Sequence, residues 1–184
     1  MLAAIVVALS FATADDVLAG AITATRHTAR FSGLVFAVAL VARAGRPHWV
    51  ASYRAELTLA FVAAHGVHYA TVIARAAVEP GNALRHPNLE ALGIVTGGFG
   101  LLLVLALTAR ARAPAAAHLH AFAFYVAFGL LALALGWGAR RSRWSMIAEV
   151  LLIAAFLWRI AAPHLHFTSG AIAEKSHPDK SRSS

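Results

Sequence analysis

The chain has 184 residues, 60% of them apolar and only 13% charged, with a mean hydropathy of +0.69. Soluble domains carry roughly 45–50% apolar and about 25% charged residues, so a water-soluble domain is excluded. The length holds about five or six apolar spans of ~20 residues and no separate soluble domain. The net charge of +8 comes from 14 Arg and two Lys against eight acids. The arginines stand in small groups at the ends of apolar runs (Arg26 and Arg30; Arg43 and Arg46; Arg110 and Arg112; Arg140, Arg141 and Arg143), as helix-flanking anchors do, which argues against nucleic acid as a partner. Cysteine is absent, which excludes disulfides, thiolate metal sites and a cysteine nucleophile. Histidine remains as the metal-binding side chain present in quantity.

The first predicted span covers about 2–22. Asp15 and Asp16 interrupt it and leave an apolar stretch of 13 residues, Leu2 to Ala14. Ala12-Thr13-Ala14 resembles a signal-peptidase site, but no positively charged leader precedes the apolar run, so an uncleaved span is the favoured reading. The second span covers about 23–44, ended by Gly45-Arg46-Pro47, and the third about 48–76, ended by Glu79-Pro80-Gly81-Asn82. The segment 78–89 reads as an exposed loop. A fourth span over about 89–111 contains Gly97-Gly98-Phe99-Gly100, small residues that let helices approach closely in lipid. Pro114 resets the chain, and spans over about 115–137 and 144–162 follow, the last ended by Pro163. Trp49, Tyr53, Trp137, Trp144 and Trp158 fall near span ends, where amphipathic rings prefer the interface.

The expected architecture is therefore all-α: a polytopic bundle of six transmembrane helices within residues 1–169, followed by a flexible polar tail, 170–184. Lys and Arg number eight in the second, fourth and C-terminal connections and seven in the other three. That difference does not orient the chain. An even span count with both termini in the cytoplasm is adopted, which places the protein in the inner (plasma) membrane as a multi-pass chain.

Ten histidines stand at 27, 48, 65, 68, 86, 118, 120, 164, 166 and 177. His65 and His68 lie deep inside an apolar span, where ionisable residues are expensive and point to function. Spaced i, i+3, they share a helix face, flanked by Ala63, Ala64, Gly66, Ala70 and Thr71, small enough for a flat cofactor to approach. The competing explanation is that one or both merely hydrogen-bond a neighbouring helix. His118 and His120 point about 200° apart, so only one can face the bundle. His120, with Ala123 and Ala127 on its own face, is the better candidate. The other six are interfacial or solvated. There is no zincin motif, Walker loop or nucleophile elbow, and Glu56 beside Arg54 reads as a local ion pair.

Four segments together resemble the ferric-reductase-like transmembrane family, to which the membrane half of NADPH oxidases and the haem subunit of the bacterial methionine sulfoxide reductase system are related. They are Arg26-x-Thr28-Ala29-Arg30-x-Ser32 with Phe36; Arg54-x-x-Leu57-x-Leu59-x-Phe61 followed by His65-x-x-His68; Gly97-Gly98; and Leu119-His120-x-x-Ala123-x-Tyr125-x-x-Phe128. The likeness spans residues 24–162. It implies a six-helix bundle with b-type haem between the third and fifth spans, often two stacked haems with one axial histidine from each span. Arg54 stands where the inner third-span histidine would be, and Leu133 where the outer fifth-span histidine would be. The resemblance leaves His68 and His120 as ligands to haem iron, with His65 as an alternative and Arg26, Arg30 or Arg54 as partners of haem propionates.

At 1.5 Å rise, His68 lies ~21 Å beyond Arg54, whereas His120 lies only ~9 Å beyond Pro114. One haem between both histidines thus requires a vertical offset of the two helices; otherwise each haem has a single histidine, or haem is lost. The function implied is a haem b protein (one or two haems) passing electrons across or within the bilayer. It acts, as an oxidoreductase component if as an enzyme at all, with a separate donor protein or a quinol, because the chain offers no flavin or nicotinamide site. The rival reading is a cofactor-free membrane scaffold or assembly subunit that kept the bundle and lost the chemistry.

Overall fold

The computed structural model describes residues 1–43, 48–79, 81, 89–139 and 143–161. Seven helices follow one another in these residues, with no strand among them: α1 (Leu2–Ala12), α2 (Val17–Arg43), α3 (His48–Ala51), α4 (Arg54–Val78), α5 (Leu89–Thr108), α6 (Pro114–Ala139) and α7 (Arg143–Ala161). The Gly45-Arg46-Pro47 stop, the connection around Pro87, the tail and the side chains of Trp137 and Trp144 lie outside the described residues.

The chain between residues 2 and 44 divides differently from the expectation of spans at 2–22 and 23–44. α1 has only 11 residues. Its last turn closes on Leu9, whose carbonyl accepts from both the N–H and the hydroxyl of Thr13. Asp16 then starts a new helix. Its Oδ1 accepts from the Ala19 N–H at 2.7 Å, the geometry of an N-cap that satisfies one of the free donors of a first turn. The aspartates therefore do more than interrupt a span: they set the start of α2 six residues earlier than expected and give it 27 residues. The expected third span is likewise split, because Ser52 and Tyr53 turn the chain between α3 and α4. The last three helices begin and end within three residues of their expected limits.

α2 is the central element, packed along α4 and also against α1 and α7. Its buried positions, Ala21, Ala24, Thr28, Ser32, Phe36, Ala39 and Leu40, recur every three or four residues and form one stripe. Small residues occupy the first half of the stripe and let α4 come close, while Phe36 and Leu40 fill the second. Phe36 is wholly buried between Phe61 of α4, at 4.7 Å between ring centroids, and Phe124 of α6, at 4.6 Å. Leu105 of α5 and Leu152 of α7 close the same core. At Gly98 the Tyr69 hydroxyl occupies the place a Cβ would take, so this glycine is what allows the α4 ring to rest against the α5 backbone.

The distribution of polarity is inverted. Ser10, Thr28, Ser32, Thr58, Thr71 and His120 are buried, whereas Leu103, Leu107, Phe122, Leu133, Val150 and Leu157 are each more than half exposed. Helices α4 (Arg54–Val78) and α6, over Pro114–Leu133, are long and apolar enough to cross a membrane. Phe36→Ala is expected to destabilise the bundle by about 3 kcal/mol or more through the cavity between three helices, against a near-neutral Phe122→Ala on the exposed face. Thermal unfolding in detergent measures both, and equal effects would refute this account of the core.

Candidate functional site

The site is built from three hydroxyl–imidazole pairs. On α2, Thr28 and Ser32 stand one turn apart and face α4. Ser32 Oγ lies 3.0 Å from His65 Nδ1, and Thr28 Oγ1 lies 3.2 Å from His68 Nδ1. The pairing repeats between α5 and α6, where Thr108 Oγ1 lies 2.8 Å from His120 Nδ1. His65 and His68 lie side by side, with ring centroids 5.3 Å apart, and the edge of Tyr69 meets His65 at 5.0 Å.

The carbonyl partners of the hydroxyls favour one tautomer. A hydroxyl has one hydrogen to donate, and in each pair it goes to a carbonyl of its own helix: Thr28 to Ala24 at 2.7 Å, Ser32 to Ala29 at 3.0 Å and Thr108 to Val104 at 2.6 Å. Such back-bonding to the preceding turn is the ordinary state of Ser and Thr within helices. With the hydroxyl hydrogen so directed the oxygen accepts, an arrangement that suits an imidazole donating from Nδ1–H with its lone pair at Nε2. Thr71 is one step further out: it lies 3.1 Å from Thr28 Oγ1 and donates to the His68 carbonyl at 2.7 Å. The groups that meet the His68 ring come from the neighbouring helix: the Thr28 hydroxyl and the backbone of Thr25.

His120 is 3% exposed, and its Nε2 is buried without a hydrogen-bond partner. Buried polar atoms are nearly always paired, so an orphan of this kind marks a place where a ligand completes the set. His118, two residues away, is exposed. The two histidine positions are not adjacent. An unbroken column of rings runs between them, from His65 to Phe61 at 5.3 Å, Phe61 to Phe36, Phe36 to Phe124, and Phe124 to His120 at 6.2 Å.

The arginines scatter. Arg26 and Arg54 are exposed and Arg30 is half-buried, so none of the three lies in the core with the imidazoles. Glu56 does not pair with Arg54: residues two apart on a helix face different ways, and Glu56 meets Arg110 at the end of α5 instead, at 3.4 Å between two exposed groups. His27 has a hydroxyl partner of the same kind, Ser10 of α1 at 3.3 Å, but the ring is exposed. The side chain of His48, and His86, His164, His166 and His177, lie outside the described residues.

No three histidine, aspartate or glutamate side chains stand together to hold a bare metal ion among the described residues. Haem iron makes a smaller demand, since the macrocycle provides four nitrogens and the protein one or two axial donors. An imidazole with Nδ1–H hydrogen-bonded and Nε2 free meets that demand, because the bond at the far nitrogen fixes the ring and raises its basicity. The residues thus fit the group in donor chemistry. Comparison of the chain with protein-family models, with curated proteins and with solved structures gives no match in any of the three.

The tautomer assignment has a direct test. Nitrogen-15 chemical shifts of labelled histidine are expected to show Nδ1–H forms for His65, His68 and His120, and Thr108→Val is expected to abolish the single form of His120 and cost about 1–3 kcal/mol of stability by leaving Nδ1–H unpaired. Predominant Nε2–H signals from these three residues in the unaltered protein would contradict the hydrogen count.

Proposed function

We propose that the chain is an integral membrane protein that holds b-type haem through His120 and through the His65–His68 pair, and that it passes electrons within or across the bilayer, as its resemblance to the ferric-reductase-like family implies. The observation that carries the haem reading is the buried, unpartnered Nε2 of His120, with its Nδ1–H already committed to Thr108. The apolar exterior over a hydroxyl- and histidine-bearing interior supports the membrane. In lipid the exterior needs no polar cover, whereas interior hydroxyls and imidazoles must satisfy one another.

Bound haem would supply a one-electron iron couple. The chain's own residues do the rest. Thr28, Ser32 and Thr108 hold the imidazoles in one tautomer and orientation, Phe36, Phe61 and Phe124 keep water out of the space between the two histidine positions, and Tyr69 braces His65. A separate protein or a quinol delivers the electrons. With His65 and His68 at one end of the ring column and His120 at the other, the reading is of two sites rather than one haem shared across the column.

That same column favours a second reading. Rings packed at 4.6 and 4.7 Å already fill the middle of the bundle without a cofactor, as a scaffold subunit would require. Protein purified in detergent separates the two. A red pigment with a Soret band is expected, and colourless protein from haem-replete cells selects the scaffold. His120→Ala and His68→Ala are each expected to lower haem per protein, measured as pyridine haemochrome, by roughly half or more, and His65→Ala by less. Full loading in His68→Ala would remove that residue from the ligand set, and loss in His65→Ala instead would transfer the role to His65.

Topology is proposed from helix length. α2, α4, α5, α6 and α7 have 19 to 27 residues, about 28–40 Å at 1.5 Å each, and so reach across a ~30 Å hydrocarbon core; α1, about 16 Å, does not. We propose five crossings with α1 embedded part-way, in place of six. Arg43, Arg54, Arg110 and Arg159 sit at the end where α2, α5 and α7 finish and α4 begins, against Arg75 and Arg143 at the other, and we propose the former end as the cytoplasmic one. A C-terminal alkaline-phosphatase fusion is expected to be inactive and a C-terminal fluorescent-protein fusion bright. The reverse result inverts the orientation.

A further inference from the structure

The same end of the bundle gathers arginines, of which Arg43 is near enough for its charge to act on His120. Arg43 is the last residue of α2, Arg159 lies in the last turn of α7, and the two helices pack directly on one another. Both reach the same stretch of α6. Arg159 Nε donates to the Tyr125 hydroxyl at 3.0 Å, with its guanidinium carbon 5.3 Å from the centre of that ring. The Arg43 guanidinium lies over the adjacent ring, Phe124, at 4.8 Å. Arg159 and Arg54 are near enough for their charges to act on Arg43.

Two ion pairs occur among the described residues, Arg75 with Glu79 and Arg110 with Glu56. Arg43, Arg54 and Arg159 therefore meet no carboxylate there. Arg159 Nη1 is moreover buried with no hydrogen-bond partner at all. Bringing like charges together while removing them from water is unfavourable, and contact with aromatic faces offsets only part of it. An anion would reverse the balance. The Tyr125 hydroxyl, having accepted from Arg159, still has its own hydrogen to donate, so the cluster offers two guanidinium forks and one O–H. That is a better match to the three or more acceptor oxygens of a phosphoryl group than to the two of a carboxylate. Beside it the surface is apolar: Phe122, Leu157 and Trp158 are all well exposed.

We infer that Arg43, Arg159 and Tyr125 form a phosphate-binding site at this end of the bundle, suited to the headgroup of an anionic phospholipid whose chains lie along the exposed α6 and α7 surface. A free phosphate anion has the same headgroup chemistry, so the source is a matter for experiment. None of the observations behind the site involves haem, although Arg43 is shared with the surroundings of His120.

The test uses the full-length protein in a neutral detergent. Its unfolding temperature is measured with phosphatidylglycerol against phosphatidylcholine, and with inorganic phosphate against chloride at equal ionic strength. Phosphatidylglycerol is expected to raise the midpoint by about 5 °C at saturating lipid, with inorganic phosphate giving much less. Arg43→Gln and Arg159→Gln should each remove most of that shift, and Arg112→Gln, an exposed arginine at the same end, should keep it. A comparable, arginine-dependent shift from inorganic phosphate alone would support the site and identify a free anion as its occupant. An unaltered protein that gains nothing from either phosphate source overturns the proposal, and this comparison requires no variant to fold. So does a lipid shift that persists undiminished in the Arg43→Gln/Arg159→Gln protein. Haem content read on the same samples keeps failure of the haem reading distinct from failure of this one.

Discussion

Each hydroxyl that faces a histidine in this bundle has its hydrogen directed to a main-chain carbonyl of the preceding turn. Ser10, Thr28, Ser32 and Thr108 all do so, to Val6, Ala24, Ala29 and Val104. The rest of the structure depends on this arrangement. A hydroxyl bonded back to its own helix needs nothing further as a donor, yet its oxygen can still accept, and among apolar helices the natural donor to meet it is a neutral imidazole N–H. One such bond across a helix pair contributes modestly, about 0.6–1.5 kcal/mol. Misplacing it is far more costly, because both groups would be buried unpaired. Two such bonds one turn apart, Thr28 to His68 and Ser32 to His65, therefore fix the register of α2 against α4 more strictly than apolar packing alone could.

Register and spacing are set by different residues. The small residues Ala21 and Ala24, with Thr28 and Ser32, bring α2 and α4 close through the polar half of their contact. Beyond Ser32 the same stripe changes to Phe36 and Leu40, and the helices are held by rings. Phe36 touches Phe61 and Phe124 at once and so ties α2, α4 and α6 to a single point. The polar half positions His65 and His68, and the aromatic half sets how far from them His120 lies. No single helix could achieve this separation, since Thr108, the partner of His120, comes from α5.

What the sequence made legible follows from which of these interactions are local. The i, i+3 spacing was enough to place His65 and His68 on one face, and the 200° relation was enough to turn His120 inward and His118 outward. Gly98 likewise reads as a point of close approach, although Tyr69 as the occupant does not. The hydroxyl partners were not visible, because they lie 33 and 40 residues from their histidines. The signal was nonetheless present: Thr28 and Ser32 are spaced i, i+4 in one helix, and His65 and His68 are spaced i, i+3 in another, the spacing that lets two pairs meet in parallel rows. Asp16 was misread for another reason. A charge inside an apolar run looks like an interruption, and the same carboxylate at a helix start is a cap. Arg43 reads as an interface anchor, because nothing local shows that it lies on an aromatic ring of another helix.

Leu133 and Arg54, the positions at which the resemblance would place two further histidines, both lie away from the interior. Leu133 is 67% exposed and faces outward from α6, so a histidine there would not point at the core. Arg54 is the exposed first residue of α4, within electrostatic reach of Arg43 at the edge of the bundle. The rings between the two histidine positions are continuous. That region is close-packed by Phe36, Phe61 and Phe124. Among the described histidines, His65, His68 and His120 are the ones withdrawn from the surface with a hydroxyl of an adjacent helix at Nδ1, and they stand at the two ends of the aromatic column.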